Sequence, residues 1–187
     1  MTTGPKYRRY NSPKYTPTAL RTWLGKTPPV GLADGFPFLL ISTASLAALN
    51  KRLAARGEAE MSMDRFRPNI VVDGVEPFEE DTWRTVRIGG VVFRVVKSCP
   101  RCKMTTVDPA TGDMDKRLKA EPLNEFKSFR ALAQRKKDKH EVFFGQNLVA
   151  EHVDGEVSIG DCVEVLETGP ALGLMPHAKA VNGVFVR

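Results

Sequence analysis

The sequence predicts a mainly β (α+β) fold with a few flanking helices. Residues 84–88 and 91–96 alternate roughly as strands do, and Gly89-Gly90 between them is a two-residue signal for a hairpin turn. Another strand is expected over residues 70–72, where three β-branched residues follow one another. Helical signals are confined to two stretches, so strands are expected to dominate the core.

The chain is expected to form one domain with an arm and a tail. A length of 187 residues is enough to bury a core, and 42% hydrophobic with 27% charged residues is ordinary for a soluble globular protein. Residues 34–168 form the predicted domain, and residues 169–187 read as a loosely ordered C-terminal tail. No apolar run reaches the length of a membrane span, and residues 1–33 lack a signal-peptide pattern.

Residues 1–33 form a basic, proline-rich N-terminal arm. They contain six of the 28 basic residues and no acidic residue, so the 22 acidic residues of the chain balance the basic residues that remain. Five prolines exclude one continuous helix. Because residues 34–187 are formally neutral and lack a basic face with interleaved aromatics, a nucleic-acid partner is not expected.

The first helix is predicted over residues 44–56, after a short apolar strand at residues 36–41. Ser42 or Thr43 is expected to cap its N-terminus, and Gly57 to end it. The spacing of three leucines predicts one apolar stripe that faces the core. These are Leu46, Leu49 and Leu53.

A second helix is predicted to open at Pro122, the favoured first helical position for proline, and to end in the basic run of residues 135–139. Upstream of it, residues 78–83 are predicted to form an acidic loop. Phe78 and Trp83 would anchor this loop to the core, and its acidic residues would face solvent.

Arg67-Pro68-Asn69 precedes the strand at residues 70–72. Pro68 is expected to hold Arg67 in an extended conformation. The Arg67 side chain is suited to bidentate recognition of anions, and Asn69 offers donors and an acceptor. An ordinary surface cation and a turn residue are the alternative interpretation of the two residues.

The stretch at residues 97–112 carries the strongest sign of a ligand site. Cys99 and Cys102 lie three residues apart among the cations Lys97, Arg101 and Lys103. A thiolate is the soft ligand that zinc, copper and molybdenum favour. The β-branched residues at 105–107 predict that a second strand begins directly after the cysteines.

Three alternatives remain for this cysteine pair: a structural zinc site, a thioredoxin-like redox pair, or two buried cysteines that act as small hydrophobes. A zinc site needs two further ligands. The remaining ligand types in the sequence are Cys162, His140, His152 and His177. We interpret Cys162 as a packing residue of a late strand. Three cysteines favour a reducing, intracellular compartment.

Four ordered segments resemble one known family. They are residues 34–46, residues 65–72 with Phe-Arg-Pro-Asn-Ile-Val, residues 97–112 with Cys-x-x-Cys-x-x-Thr-Thr-Val-Asp-Pro-x-Thr-Gly, and Phe144-Gly145-Gln146-Asn147. Together they resemble the MOSC domain, the molybdenum cofactor sulfurase C-terminal domain. They are most similar to the C-terminal part of the mitochondrial amidoxime-reducing component. The resemblance covers residues 34–167 and implies a MOSC-type β-barrel.

The resemblance also implies a molybdenum-molybdopterin cofactor with Cys102 as catalytic residue and molybdenum ligand. Asp34, Arg67, Asn69 and Arg101 fall on cofactor-binding positions of the family. The implied activity is an oxidoreductase reaction that reduces N-hydroxylated, amidoxime-type substrates. A non-catalytic domain that binds or carries the cofactor or its sulfur is the alternative.

The implied electron donors are a flavoprotein reductase and a small b-type haem protein, in a cytoplasmic or mitochondrial setting. Full-length amidoxime-reducing proteins carry an N-terminal domain with further phosphate-binding residues before this one. In this sequence the 33-residue basic arm directly precedes Asp34. Two interpretations of the arm remain: it partly replaces those phosphate contacts, or it is a disordered remnant.

Overall fold

The computed structural model describes residues 9–10, 29–30, 35–114, 120–131, 141–152, 154–170 and 184–186. Most of the basic arm, the predicted site residue Asp34, the basic run at 135–139 and most of the tail lie outside these ranges. Within the arm, β1 (Arg9–Tyr10) pairs antiparallel with β2 (Pro29–Val30).

The other described strands form a closed barrel, which confirms the mainly β prediction. They are β3 (Phe38–Ser42), β4 (Ile70–Asp73), β5 (Trp83–Ile88), β6 (Val91–Arg101), β7 (Val142–Ala150), β8 (Cys162–Thr168) and β9 (Val184–Val186). The order around the barrel is β3-β4-β9-β8-β5-β6-β7, and β7 pairs back with β3. β3 and β4 run parallel, whereas the other pairs of neighbours are antiparallel.

The predicted hairpin at Gly89-Gly90 is confirmed, since Ile88 pairs with Val91 across the turn. β6 extends further than the sequence predicts, to Arg101. Its last residues pair with β7 through a register irregularity between Ser98 and Pro100. Cys99 therefore lies inside β6, and Cys102 follows directly after the end of the strand.

α1 (Thr43–Ala54) confirms the first predicted helix and ends two residues before the predicted limit. Ser42 is its N-cap, and its hydroxyl oxygen accepts a 3.0 Å hydrogen bond from Ser45 N. Leu49 and Leu53 are fully buried, and Leu46 packs at the margin of the same cluster. This helix packs against β3 and β4.

α2 (Leu123–Phe129) confirms the second predicted helix, but it begins one residue later than predicted, with Pro122 as its N-cap, and it ends before the basic run. Arg130 leaves the helix and turns into the interior, where its side chain forms an ion pair with Asp81. Ala131 then bridges to Val142 at the start of β7. The helix ends here because the Arg130 side chain pairs with the buried Asp81 carboxylate, which lies 49 residues earlier in the chain.

The acidic stretch Glu79–Thr82 is a buried 3-10 helix, so the prediction that its acids face solvent is wrong. Glu79, Glu80 and Asp81 are exposed by only 2%, 1% and 2%. Buried carboxylates need partners, and theirs come from distant parts of the chain. Phe78 and Trp83 are buried at either end, as the anchor prediction expects.

The tail contributes to the barrel. Residues Val184–Val186 pair with β4 on one side and with β8 on the other, although the sequence predicts no strand there. Three residues are too few for alternation to be recognised, and both partners are remote in sequence. None of the helices in the described residues is both long and apolar enough to cross a membrane.

Candidate functional site

Cys102 lies at the point where β6 ends and a short 3-10 helix, Lys103–Thr106, begins. Its side chain is exposed. The carbonyl oxygen of Cys102 accepts hydrogen bonds from Thr105 N at 3.2 Å and from Thr105 Oγ1 at 3.0 Å. The predicted second strand is therefore wrong, because the threonine hydroxyls bond back to carbonyls three residues earlier and compete with a sheet ladder. The result is a fixed backbone that presents the Cys102 thiol outward.

Arg101, the last residue of β6, links the cysteine segment to the Arg67 segment. Its Nη2 donates to the carbonyl oxygen of Phe66 at 2.8 Å, and its Nη1 lies 3.2 Å from the Cys99 Sγ as a donor. The guanidinium carbon stands 5.4 Å from the centre of the Phe66 ring. Its Nε is buried and has no partner among the described residues. Arg101 is thus half-buried and mostly engaged within the protein.

Arg67 adopts a left-handed conformation, with φ 54° and ψ 47°, so the predicted extended conformation is wrong. It closes the 3-10 helix Met63–Phe66, and its N–H donates to the Asp64 carbonyl at 3.1 Å. This closure overrides the local influence of Pro68. The side chain is exposed, and no carboxylate in the described part of the chain forms an ion pair with it. A strained, non-glycine residue that presents an unpaired cation is typical of a functional position.

Asn69 bridges the starts of two parallel strands. Its Oδ1 accepts from Leu39 N at 2.9 Å, and its own N–H donates to the Leu39 carbonyl at 2.9 Å. The amide oxygen is therefore used in the fold, whereas the side-chain NH₂ has no hydrogen bond within the described residues. Asp34 precedes the described part of β3 and its neighbourhood, so its predicted role stays a prediction.

A second arginine, which sequence reasoning missed, also ties the two loops together. Arg65 Nη1 donates to the Val107 carbonyl at 3.0 Å, and its Nη2 lies 3.5 Å from Asp108 Oδ2. The Arg65 side chain is only 10% exposed. The sequence around Arg65 gives no indication of this contact, because Val107 is 42 residues further along the chain.

Behind the cysteine segment lies a buried polar network. Arg130 and Asp81, both buried, form a bidentate pair with nitrogen–oxygen distances of 2.5 and 3.0 Å. Gln146 Nε2 donates to Asp81 Oδ1 at 2.6 Å and lies 3.3 Å from Ser98 Oγ, one residue before Cys99. The network thus supports the strand end that carries the cysteines.

Two further features of this region follow from burial. Burial, with the neighbouring Asp81 carboxylate as the second cause, raises the pKa of Glu80 above its ordinary value.

Gly145 has φ +79°, and a Cβ there would stand 2.8 Å from the Leu40 carbonyl oxygen, so only glycine fits. The Phe-Gly-Gln-Asn segment is therefore a structural element that supports the site.

The geometry separates the alternatives for the cysteine pair. Cys99 lies inside β6 and Cys102 follows the end of that strand, and both are free cysteines that no disulfide joins. Cys102 is exposed, so the two are not both buried hydrophobes. In the described ranges, no three histidine, cysteine or acidic side chains come together as a metal cluster.

The donor set fits a large anionic group that brings its own metal ligands. It comprises one exposed thiol at Cys102, an exposed guanidinium at Arg67, an amide NH₂ at Asn69 and a half-buried guanidinium at Arg101. A single soft ligand with cations beside it suits a metal whose remaining ligands are not protein side chains. Asp34, by contrast, lies outside the described residues.

Comparison with known proteins identifies the family of the chain. Residues 27–164 match the family model of the MOSC domain. The chain is 42% identical to mitochondrial amidoxime reducing component 2 of Macaca fascicularis over 136 residues, which is 72% of this chain and 38% of that protein. It is 41% identical to mitochondrial amidoxime-reducing component 1 of Homo sapiens over 139 residues, 73% of this chain and 39% of that protein.

The chain spans about two fifths of the length of the curated relatives that it matches. The matched region includes the 3-10 helix before Arg67, the end of β6 and the first three residues of β8. A family model that covers most of the chain, together with these identities, decides the family. This chain belongs to the MOSC domain family.

Proposed function

We propose that this MOSC domain binds the molybdenum cofactor and works as an oxidoreductase on N-hydroxylated substrates. The observation that carries the proposal is the exposed thiol of Cys102, directly after Arg101, whose side chain is anchored on the Phe66 carbonyl beside Arg67. The relatives' names specify amidoxime reduction, which supports the choice of substrate class.

Each residue has a distinct role in this proposal. Cys102 is the thiolate ligand of molybdenum and the catalytic residue. The exposed guanidinium of Arg67 binds and neutralises the anionic cofactor, and Asn69 donates its NH₂ group to it. Arg101 adds positive charge beside Cys102 while its own hydrogen bonds fix the strand end. Asp34 is proposed to complete the site from the segment before β3.

The reaction is a two-electron reduction. When bound, the cofactor supplies a molybdenum centre that exchanges electron pairs and takes oxygen from a substrate. An amidoxime gains two electrons and two protons, its N–O bond breaks, and an amidine and one water molecule leave. We propose a small b-type haem protein and a flavoprotein reductase as the electron source, and a mitochondrial or cytoplasmic setting.

Molybdenum content and turnover test the proposal together. The chain is produced with cofactor supply, molybdenum per chain is measured by elemental analysis, and benzamidoxime reduction is followed with a chemical electron donor. We expect about one molybdenum per chain and formation of benzamidine. Cys162→Ser is the matched control for Cys102→Ser. Cys162 is exposed on β8, so its prediction as a packing residue is wrong.

The outcomes separate the two candidate functions. Molybdenum without turnover would favour a domain that carries the cofactor or its sulfur, a role for which an exposed Cys102 thiol is also suited. Zinc in place of molybdenum, or no metal after cofactor supply, would contradict both.

A further inference from the structure

Two arginines cross between the same pair of segments in opposite directions. Arg101 reaches from the end of β6 to the carbonyl of Phe66, at 2.8 Å. Arg65 reaches from the Met63–Phe66 helix to the carbonyl of Val107, at 3.0 Å, and to the Asp108 carboxylate, at 3.5 Å. In the described part of the chain, no strand pairing joins the segment at residues 63–67 to the segment at residues 101–108. Side chains therefore hold them together.

Asp108, which pairs with Arg65, is held in place by hydrogen bonds within its own turn. Asp108 Oδ1 accepts a 2.9 Å hydrogen bond from Ala110 N, and the backbone N–H of Asp108 donates to Asp113 O at 2.8 Å. Gly112 N–H donates to the Asp108 carbonyl at 2.8 Å. Asp108 thus uses one carboxylate oxygen to build its own turn and offers the other to Arg65.

Both ends of this contact are close in sequence to the candidate cofactor ligands. Arg65 is two residues from Arg67, and the residue between them, Phe66, is 1% exposed and cannot move freely. Val107 closes the 3-10 turn that begins after Cys102, since its N–H donates to Met104 O at 3.1 Å. A shift of the Arg65 contact would therefore displace Arg67 relative to Cys102.

We propose that Arg65 is a positioning residue: through Val107 and Asp108 it sets the place of the Arg67 guanidinium relative to the Cys102 thiol. The inference rests on the proposed function and deepens it, because it assigns a role to a residue outside the proposed set of cofactor-binding residues. Arginine is required there, because a lysine ammonium cannot bond a carbonyl and a carboxylate in one planar arrangement.

The first test uses the cofactor-free protein and amide hydrogen exchange. Arg65→Gln removes the contact, and Asp108→Asn keeps the oxygen that accepts from Ala110 while it removes the charge. We expect exchange in residues 63–67 and 105–108 to speed up at least about tenfold in Arg65→Gln, which loses a charge-assisted hydrogen bond to the Val107 carbonyl. Asp108→Asn, which removes only the 3.5 Å ion pair, should give a smaller increase in the same residues. The control Arg87→Gln breaks an exposed 2.6 Å pair with Glu164 elsewhere and should leave these amides unchanged.

The second test measures the rate at which the loaded protein loses molybdenum, in a double-mutant cycle. Arg65→Lys should speed the loss about five- to tenfold when Arg67 is present. It should change the loss less than about twofold in an Arg67→Lys background, because Arg65 acts through Arg67. Full multiplication of the two effects would refute the positioning role, since a general loss of stability affects both backgrounds equally.

The two tests distinguish the inference from the function on which it rests. If the wild-type chain holds no molybdenum, the proposed function fails and the exchange data alone decide whether Arg65 ties the segments. If the wild-type chain holds molybdenum but the Arg65 and Asp108 variants match Arg87→Gln in exchange and retention, the positioning role is wrong while the function stands.

Discussion

The Arg101 guanidinium donates a 2.8 Å hydrogen bond to the carbonyl oxygen of Phe66, 35 residues earlier in the chain. This bond joins the end of β6 to the short helix before Arg67. It places the segment with the exposed cysteine against the segment with the exposed arginine. The candidate site is thus built at a junction of two loops on one barrel.

The first prediction concerns the two cysteines of the motif. Cys102→Ser should abolish molybdenum retention or turnover, because a serine oxygen is a harder ligand of different charge. Cys99→Ser should reduce molybdenum retention and turnover far less, since Cys99 lies within β6 and contacts Arg101. Elemental analysis and benzamidoxime turnover provide the measurements. Equal loss from both substitutions, with one zinc per chain, would contradict the assignment.

The second prediction concerns the charge and shape of Arg67. Arg67→Lys keeps the charge but removes the bidentate contact. A charge-assisted hydrogen bond contributes roughly 1.5–3 kcal/mol, so the affinity for the cofactor should fall at least about tenfold. Retention during gel filtration measures this. The melting temperature of the cofactor-free variant should stay close to that of the wild type, because the side chain is exposed. A large fall would make Arg67 a structural residue instead.

Arg67→Gly provides a further check on the same residue. Glycine accepts the left-handed conformation that Arg67 adopts at φ 54°. The free energy of unfolding should therefore change by less than about 1 kcal/mol, as relief of strain offsets the greater freedom of the unfolded chain. Cofactor retention should fall at least as far as in Arg67→Lys. Chemical denaturation of the cofactor-free protein measures the first quantity.

The third prediction concerns pH and Glu80. Burial raises the pKa of Glu80 above 4.5, so the folded state favours the protonated carboxyl. Its contribution to stability is present below about pH 4.5 and is lost as the pH rises through the higher folded pKa. Glu80→Gln, which cannot ionise, should flatten the fall of unfolding free energy as the pH rises above 4.5. An unchanged pH profile in the variant would show that Glu80 is ionised when folded.

The hydrogen bonds that reach Glu80 lower its pKa, but burial and the neighbouring Asp81 charge outweigh them. Ser42 Oγ lies 3.1 Å from Glu80 Oε2 and 2.8 Å from Ser45 Oγ, but it has one hydrogen to donate. A protonated Glu80 can donate to Ser42, which then donates to Ser45. This arrangement also keeps Ser42 in place as the N-cap of α1.

The fourth prediction concerns the buried pair of Asp81 and Arg130. Arg130→Met should lower the free energy of unfolding by about 3–5 kcal/mol, because it leaves an uncompensated buried carboxylate. Arg87→Met, which breaks the exposed pair with Glu164, should cost at most about 1 kcal/mol. Denaturant titration of both variants provides the comparison. A similar small effect from both would show that the Asp81 network does not support the cysteine-bearing strand.

Several elements could be predicted from the sequence because their signals are local. Ser42 caps α1 through a bond to Ser45, three residues away, and Gly89-Gly90 turns the chain within one hairpin. The exposed position of Cys102 was also foreseeable from its charged neighbours. The family resemblance, carried by short ordered motifs, likewise needed no knowledge of the packing.

The site's supporting contacts depend on tertiary structure. Three features differ from what the neighbouring residues in the sequence indicate. They are the left-handed conformation of Arg67, the burial of Glu80 and Asp81, and the contact of Arg65 with Asp108. Asp81 and Gln146 are 65 residues apart in the chain, and their hydrogen bond exists only once the barrel has closed. Local periodicity and turn chemistry therefore determined which segments become strands, helices and ligand loops. The pairing of buried charges across those segments, which no local pattern encodes, decided how the loops meet.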